Sequence, residues 1–248
     1  KKTGEVVMKK LLTQMTIALF ISLTVDSANA GFSDGGAALQ DMLDAVTISP
    51  AAGSSIDVIN DAIDDGYDSY WSVSASGSSI QTLVIELAAV QRSGNTFGIF
   101  EMGNPGNQIP LFDGSEMYGS KVVTLLDDFT VLVNFTPSGS SFSANGFGYY
   151  LETAASGTWY SDTVLNSDGW DHMMAYQGND SDIVDLSGFA GGLFQSNEYI
   201  LAFEDQPIGV ANLSNYDDFV VLVESVTPIP EPATFVILGL GGLLLRKT

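Results

Sequence analysis

The sequence contains no cysteine, so neither a disulfide bond nor thiolate chemistry contributes to its fold or function. It has one histidine, His172, and a single histidine cannot build a histidine-rich zinc or iron site. Because His172 opens a predicted strand, a structural role is favoured over a catalytic base acting beside Asp171. Glycine-rich phosphate loops of the Walker and G-x-G-x-x-G types are also missing. These absences remove thiol enzymes, histidine-based metalloenzymes and the common nucleotide-binding folds from consideration.

Basic residues are scarce as well, with eight Lys or Arg against 30 Asp or Glu and a net charge of −22. Six of the eight lie near the two ends, so that residues 31–230 carry only Arg92 and Lys121. A body of this charge is repelled by nucleic acid and by anionic lipid, and it attracts cations. Solubility outside the cell and the use of carboxylates as metal ligands both remain open as explanations of the charge.

Long hydrophobic runs are absent, and the two short ones lie at the ends of the chain. Residues 15–25 form an apolar stretch that follows Lys9 and Lys10, with Met8 as the expected translation start. Ala28 and Ala30 flank Asn29 in a small-x-small pattern typical of signal-peptide cleavage before Gly31. We therefore expect a signal peptide over residues 1–30. The alternative is an N-terminal membrane helix, but the stretch is short of the ~20 apolar residues that spanning requires.

The C-terminal segment, residues 228–248, has three parts in a fixed order. Pro230, Glu231 and Pro232 come first, an apolar run ends at Leu245, and Arg246 and Lys247 close the chain. This order resembles the PEP-CTERM sorting signal of bacterial proteins that are substrates of exosortases. The resemblance implies an exosortase-like membrane protease as partner, transient anchoring in the inner membrane, and a final location at the cell surface or in the exopolysaccharide matrix. A plain C-terminal membrane anchor is the alternative.

The body between the ends, residues 31–227, is predicted to be an all-β protein. Two short helices are expected at 35–46 and 57–65, where apolar residues recur at helical spacing. Ten β-branched and aromatic stretches bounded by turn residues predict strands. These are 70–74, 82–89, 96–101, 121–126, 130–135, 147–152, 158–161, 172–176, 199–204 and 219–226. Spacing near ten residues indicates an antiparallel β-sandwich of jelly-roll type, flanked by an N-terminal signal helix and a C-terminal hydrophobic helix.

The body also resembles an uncharacterised bacterial β-rich domain of unknown function that often precedes a PEP-CTERM tail. The most specific stretch runs from Phe203-Glu204-Asp205 to Tyr216-Asp217-Asp218-Phe219. The other matching stretches are 57–71, 82–88, 95–105, 147–153 and 160–178. Two positions depart from the family pattern, because Asn215 stands where Asp is usual and Asp217 where Asn is usual. The resemblance implies a β-rich fold and carries no established activity.

The same stretch contains the strongest candidate for a metal site. Glu204 and Asp205 end one predicted strand, and Asp217 and Asp218 begin the next, with Asn215 close by. If the two strands are neighbours, these oxygens converge at one end of the sandwich and suit Ca²⁺, which takes six to eight oxygen ligands. Weaker candidates form two further groups, which are Asp162, Asp168 and Asp171, and Asp180, Asp182 and Asp185. For every group the alternative is that Asp and Asn close turns by bonding their own backbone.

Taken together, the sequence predicts an exported, non-enzymatic protein of the cell envelope or extracellular matrix that binds Ca²⁺ and associates with acidic exopolysaccharide. One alternative is a carbohydrate-binding module in which Trp71, Trp159 or Trp170 stacks on sugar rings, although most aromatic residues are expected in the core. A second alternative is a glycan hydrolase with paired carboxylates. With 27 acidic residues in the body, this last pattern arises easily by chance. Nucleic acid is not expected as a partner.

Overall fold

The structure is a computed structural model that describes residues 32–73, 79–85, 94–113, 119–186, 190–208 and 214–230. Its helices are α1 (Ala37–Val46) and α2 (Asp65–Asp68), with a 3-10 turn at Thr163–Leu165. Its first eight strands are β1 (Thr47–Ser49), β2 (Tyr70–Val73), β3 (Ser79–Ile85), β4 (Thr96–Glu101), β5 (Asn104–Asp113), β6 (Ser120–Leu125), β7 (Thr130–Val133) and β8 (Thr136–Ser141). The remaining strands are β9 (Phe147–Thr153), β10 (Gly157–Tyr160), β11 (Met173–Gln177), β12 (Ile183–Val184), β13 (Gly192–Leu193), β14 (Glu198–Phe203), β15 (Phe219–Glu224) and β16 (Val226–Ile229).

The strands form two large antiparallel sheets and one small sheet. The seven-stranded sheet has the order β11-β14-β15-β3-β6-β7-β8. The six-stranded sheet has the order β16-β2-β9-β4-β5, with β10 also paired to β9. The small sheet contains β1, β12 and β13. The predicted all-β, antiparallel sandwich-like class is therefore confirmed.

Aromatic side chains fill the space between the two large sheets. The ring of Phe97 on β4 lies 5.0 Å from that of Phe219 on β15 and 5.8 Å from that of Phe203 on β14. Trp71 on β2 meets Tyr199 on β14 edge to face, with 4.8 Å between ring centroids. Such pairs contribute about 0.5–1.5 kcal/mol each beyond the area that they bury. These contacts place the start of β4 against the end of β14 and the start of β15.

The seven-stranded sheet is buried on both faces at β14 and β15. On the face away from the main core, Ile200 and Val220 pack with Leu39 and Leu43 of helix α1 in a second apolar cluster. This double burial explains why β15 reads as a continuous apolar run rather than as alternating residues. Helix α1 confirms the prediction for 35–46, and Asp34 accepts hydrogen bonds from the backbone N–H groups of Gly36 and Ala38 at its start.

The predicted helix at 57–65 is wrong. Asp57 accepts hydrogen bonds from the backbone N–H of Ile59 at 2.9 Å and from the side-chain amide of Asn60. These local bonds give the backbone an alternative to helical hydrogen bonding, and the segment forms a turn. Helix begins only at Asp65, where α2 makes a single turn.

The three short strands of the small sheet, β1, β12 and β13, were missed, and so were two strands of the large sheets, both of which lie at sheet edges. Strand β5 ends the six-stranded sheet and β8 ends the seven-stranded sheet. Their sequences, NPGNQIPLFD and TPSGSS, contain proline and glycine. Proline is tolerated at an edge because its missing N–H faces away from the ladder. The sequence pattern of an edge strand therefore resembles that of a loop.

The predicted strand 219–226 is divided between the two large sheets. Strand β15 ends at Glu224, Ser225 takes a left-handed backbone conformation with φ of 62°, and β16 begins at Val226. Strand β16 then pairs with β2 in the six-stranded sheet and continues to Ile229. The predicted signal helix and C-terminal hydrophobic helix lie outside the described residues. Within those ranges, no helix has the length and apolar character needed to cross a membrane.

Candidate metal centre

The predicted neighbours β14 and β15 pair directly, with Phe203 opposite Phe219. Glu204 and Asp205 therefore leave one strand at the point where Asp218 enters the other. Strong apolar character in both strands fixes this register, because a shift by one residue would exchange the two buried faces. The convergence expected from the sequence is thus produced by the core packing of the strands.

Three carboxylates meet at this end of the sheet. Glu204, Asp205 and Asp218 each offer an oxygen, and the three oxygens lie within 4.8 Å of one another. The residues are only 1%, 1% and 6% exposed, respectively. In the part of the chain that the structure describes, no other group of three Asp, Glu or His side chains converges in this way. The arrangement could hold a metal ion.

The hydrogen-bond donors that reach this cluster are neutral amides. Glu204 accepts from the backbone N–H groups of Gln206 and Asn215 at 2.9 and 3.0 Å. Asp218 accepts from the backbone N–H of Asp205 at 3.0 Å. Asp205 accepts from the side-chain amides of Gln206 at 2.8 Å and Asn95 at 3.2 Å. Amide dipoles offset part of the repulsion between carboxylates, but they do not cancel a net negative charge.

The pKa values of Glu204 and Asp218 reflect their burial and, for Asp218, the neighbouring negative charge. Burial and the neighbouring Glu204 carboxylate raise the pKa of Asp218 from 3.8 to about 9. Burial likewise raises the pKa of Glu204, against a hydrogen bond with Asp218 that lowers it. The metal-free cluster therefore retains a proton at neutral pH, shared between the Asp218 and Glu204 carboxyl groups. A divalent cation would replace that proton and balance the charge more fully.

A buried aromatic pair supports the two residues that follow β14. The indole N–H of Trp159 donates to the backbone carbonyl of Asp205 at 3.1 Å. The His172 ring stacks on Trp159 with 3.8 Å between centroids and an interplanar angle of 3°. His172 Nδ1 donates to the Glu204 carbonyl at 3.0 Å, since a carbonyl only accepts, and Nε2 contacts Asp168 Oδ2 at 2.9 Å. His172 is fully buried, and its bond to the Glu204 carbonyl holds the backbone of that residue in place.

Of the other two predicted ligands, Asp217 does not join the carboxylate cluster, and Asn215 contacts it through its backbone. Asp217 is half-buried and lies outside the three converging groups. Asn215 contributes its backbone N–H to Glu204.

The carboxylates of the two weaker acidic groups accept hydrogen bonds from nearby or from distant parts of the chain. Asp162 caps the 3-10 turn through the N–H of Val164, and Asp171 accepts from the N–H of Met173. Asp168 binds the N–H groups of Trp170 and Ile208 besides His172. In the other group, Asp182 accepts from Ser54 and Ser55, Asp180 accepts from the N–H of Ser196, and Asp185 is exposed. The bonds of Asp162, Asp168 and Asp171 to N–H groups two residues ahead are the turn chemistry that the sequence left as the alternative, whereas Asp180 and Asp182 bond groups far along the chain.

Asn95 was missed as part of the site. It lies immediately before β4, in the six-stranded sheet, and is 3% exposed. Its Nδ2 donates to Asp205, whereas its Oδ1 has no hydrogen-bond partner among the described residues. A buried acceptor left unsatisfied costs about 1–3 kcal/mol. The sequence drew attention to this position only as the first residue of the matched stretch 95–105. Nothing in the local sequence indicates a contact with residue 205.

The remaining predicted positions concern processing rather than the domain. Ala28, Ala30, Glu231, Pro232, Arg246 and Lys247 lie outside the described residues, and Pro230 is the last residue within them. Comparison with protein-family models and with curated proteins finds no match for this chain.

Proposed function

We propose that this is an exported, non-enzymatic protein of the bacterial cell envelope or extracellular matrix whose sandwich domain is held together by a bound Ca²⁺ ion. The observation that carries the Ca²⁺ proposal is the convergence of Glu204, Asp205 and Asp218 in a buried site. Two supporting features are the neutral character of the donors around them and the unsatisfied amide oxygen of Asn95.

Calcium fits the chemistry of this site better than the other common divalent ions. The ligands are hard oxygens without histidine or cysteine, which disfavours zinc. Magnesium demands near-octahedral geometry and keeps several of its waters, so it suits open sites on one or two carboxylates. A buried group of three carboxylates with an amide oxygen nearby suits the larger, more flexible coordination shell of Ca²⁺.

Export and sorting rest on the two ends of the sequence. The leader pattern before Gly31 supports secretion, and the PEP-CTERM resemblance supports processing by an exosortase-like protease in the inner membrane. After processing, the acidic domain functions outside the membrane. Ca²⁺ at its surface carboxylates would then link it to acidic exopolysaccharide, since both partners carry negative charge.

The aromatic residues give limited support to the carbohydrate-binding alternative. Trp71 and Trp159 are core residues, as expected for most of the aromatic set, and neither offers a face to a sugar. Trp170 remains 39% exposed, beside the 3-10 turn. If this alternative holds, Trp170→Ala abolishes binding to a neutral glycan without changing the unfolding temperature.

A hydrolytic role for the carboxylate cluster has less support. A glycosidase places its two carboxyl groups on either side of a bound sugar, about 5–9.5 Å apart. The oxygens of Glu204, Asp205 and Asp218 lie closer together than this and are buried. A sugar ring has no access to them in this arrangement.

Terbium luminescence tests the proposed site directly. Tb³⁺ replaces Ca²⁺ at oxygen sites, and an ion beside Asp205 would be sensitised by Trp159, whose indole bonds the Asp205 carbonyl. We expect tryptophan-excited Tb³⁺ emission that Ca²⁺ displaces. Asp218→Asn should abolish the emission, whereas Asp185→Asn, at an exposed acid, should leave it intact. Emission that survives Asp218→Asn would place the ion elsewhere.

A further inference from the structure

The cluster lies where the two large sheets meet. Glu204, Asp205 and Asp218 belong to the ends of β14 and β15 in the seven-stranded sheet. Asn95 directly precedes β4, and Trp159 lies on β10, both in the six-stranded sheet. The hydrogen bonds of Asn95 and Trp159 to Asp205 thus cross from one sheet to the other.

The side chain of Asn95 has one satisfied and one unsatisfied end. Its Nδ2 lies 3.2 Å from Asp205 Oδ2, and its Oδ1 has no hydrogen-bond partner among the described residues. Since both atoms belong to one amide group, Oδ1 also lies near the Asp205 carboxylate. An amide oxygen is a hard, neutral ligand of the kind that Ca²⁺ accepts beside carboxylates. The buried oxygen lacks a partner in the metal-free protein, and a cation would supply one.

We infer that Asn95 Oδ1 is a ligand of the Ca²⁺ ion, and that the ion joins the two sheets of the sandwich. This inference rests on the proposed cation site and extends it. The three carboxylates supply charge from the seven-stranded sheet, and Asn95 supplies a neutral oxygen from the six-stranded sheet. The ion then links the two sheets at one end of the core, in a domain that has no disulfide to cross-link them.

The competing explanation is that Asn95 serves only as a hydrogen-bond donor to Asp205. Gln206 provides a matched comparison, because its side-chain amide also donates to Asp205, at 2.8 Å. Leucine at either position removes one amide donor from the Asp205 carboxylate at similar side-chain size. Only Asn95→Leu also removes a buried oxygen that lacks a hydrogen-bond partner.

Calorimetric titration of the purified chain with Ca²⁺ compares the two variants. We expect Asn95→Leu to weaken binding about tenfold or more beyond the effect of Gln206→Leu, as loss of a charged-group contact implies. Equal weakening in both variants, or none in Asn95→Leu, would overturn the inference while leaving the carboxylate site in place. Failure of the wild-type protein to bind Ca²⁺ would instead refute the proposed function.

Hydrogen exchange on the wild-type protein provides a second test that does not depend on any variant folding. Ca²⁺ should slow amide exchange at the start of β4 as well as at the facing ends of β14 and β15. Protection confined to β14 and β15 would show that the ion belongs to one sheet only, and would overturn the proposed link between the sheets.

Discussion

At the scale of single residues, two buried carboxylates of the domain, Glu101 and Asp218, differ in their surroundings and in the direction of their pKa shifts. Glu101 is buried but well supplied with donors, since hydrogen bonds from Ser143, Asn107 and Asn104 lower its pKa from 4.5 to about 2. Asp218 has the opposite balance, because burial and the charge of Glu204 raise its pKa to about 9. The first group is stable as an anion, and the second requires a proton or a cation. This difference supports the proposed cation site at Asp218.

The raised pKa of Asp218 contributes to the dependence of stability on pH. Between 3.8 and about 9, the metal-free folded protein holds a proton that the unfolded chain has released. The free energy of unfolding therefore falls as pH rises through this window. Asp218→Asn removes the titrating group while keeping an acceptor for the Asp205 N–H. In chelator, we expect the variant to lose less stability than the wild type between about pH 5 and about pH 8.

The same variant should also be more stable than the metal-free wild type near pH 8, by ~1 kcal/mol or more, because each unit of pKa displacement corresponds to about 1.4 kcal/mol. Thermal unfolding in chelator at several pH values measures both effects. A wild-type protein whose stability changes with pH no more than that of Asp218→Asn would show that another group carries the proton.

At the scale of elements, a close approach of the backbone holds β11 beside the start of β14, the strand whose other end leads to Glu204. Immediately after β11, Gly178 donates its backbone N–H to the Glu198 carbonyl at the start of β14. A Cβ atom on Gly178 would lie 1.9 Å from the backbone oxygen of Gln195. Backbone cannot yield as a side-chain tip can, so only glycine fits at this position.

Gly178→Ala should therefore destabilise the domain by about 1–3 kcal/mol, the usual cost of overpacking. Gly192→Ala, on β13 in the small sheet, is the control, since no atom lies within 4 Å of its added Cβ. Chemical denaturation of the two variants checks the difference. If both variants lose the same stability, the close approach of residues 178 and 195 does not matter to the fold.

The elements also show what the sequence could and could not predict. Strands β14 and β15 were found because both are apolar runs bounded by acids, and their pairing brings Glu204 and Asp218 together as expected. Strands β5 and β8 escaped prediction because edge strands accept proline and glycine. Asn95 escaped because its contact with Asp205 joins residues 110 positions apart on different sheets. Such a contact depends on tertiary packing and leaves no local pattern.

At the scale of the whole molecule, the chain combines a net charge of −22 with a sandwich that has no disulfide. Charge of this size keeps a protein soluble but opposes its compact state through self-repulsion. A divalent cation bound between the sheets would counter that repulsion where it is strongest, among buried carboxylates. If the protein is exported as proposed, calcium outside the cell would favour the folded domain after export.

The unfolding temperature of the purified protein with Ca²⁺ and with chelator is the most direct test of this account. An ion at about 100 times its dissociation constant adds ~2.7 kcal/mol to the free energy of unfolding, which corresponds to a rise of roughly 5–10 °C for a domain of this size. We predict such a rise in the wild-type protein and its loss in Asp218→Asn. An unchanged unfolding temperature at millimolar Ca²⁺ would contradict the account and leave the buried carboxylates as a proton-sharing structural cluster.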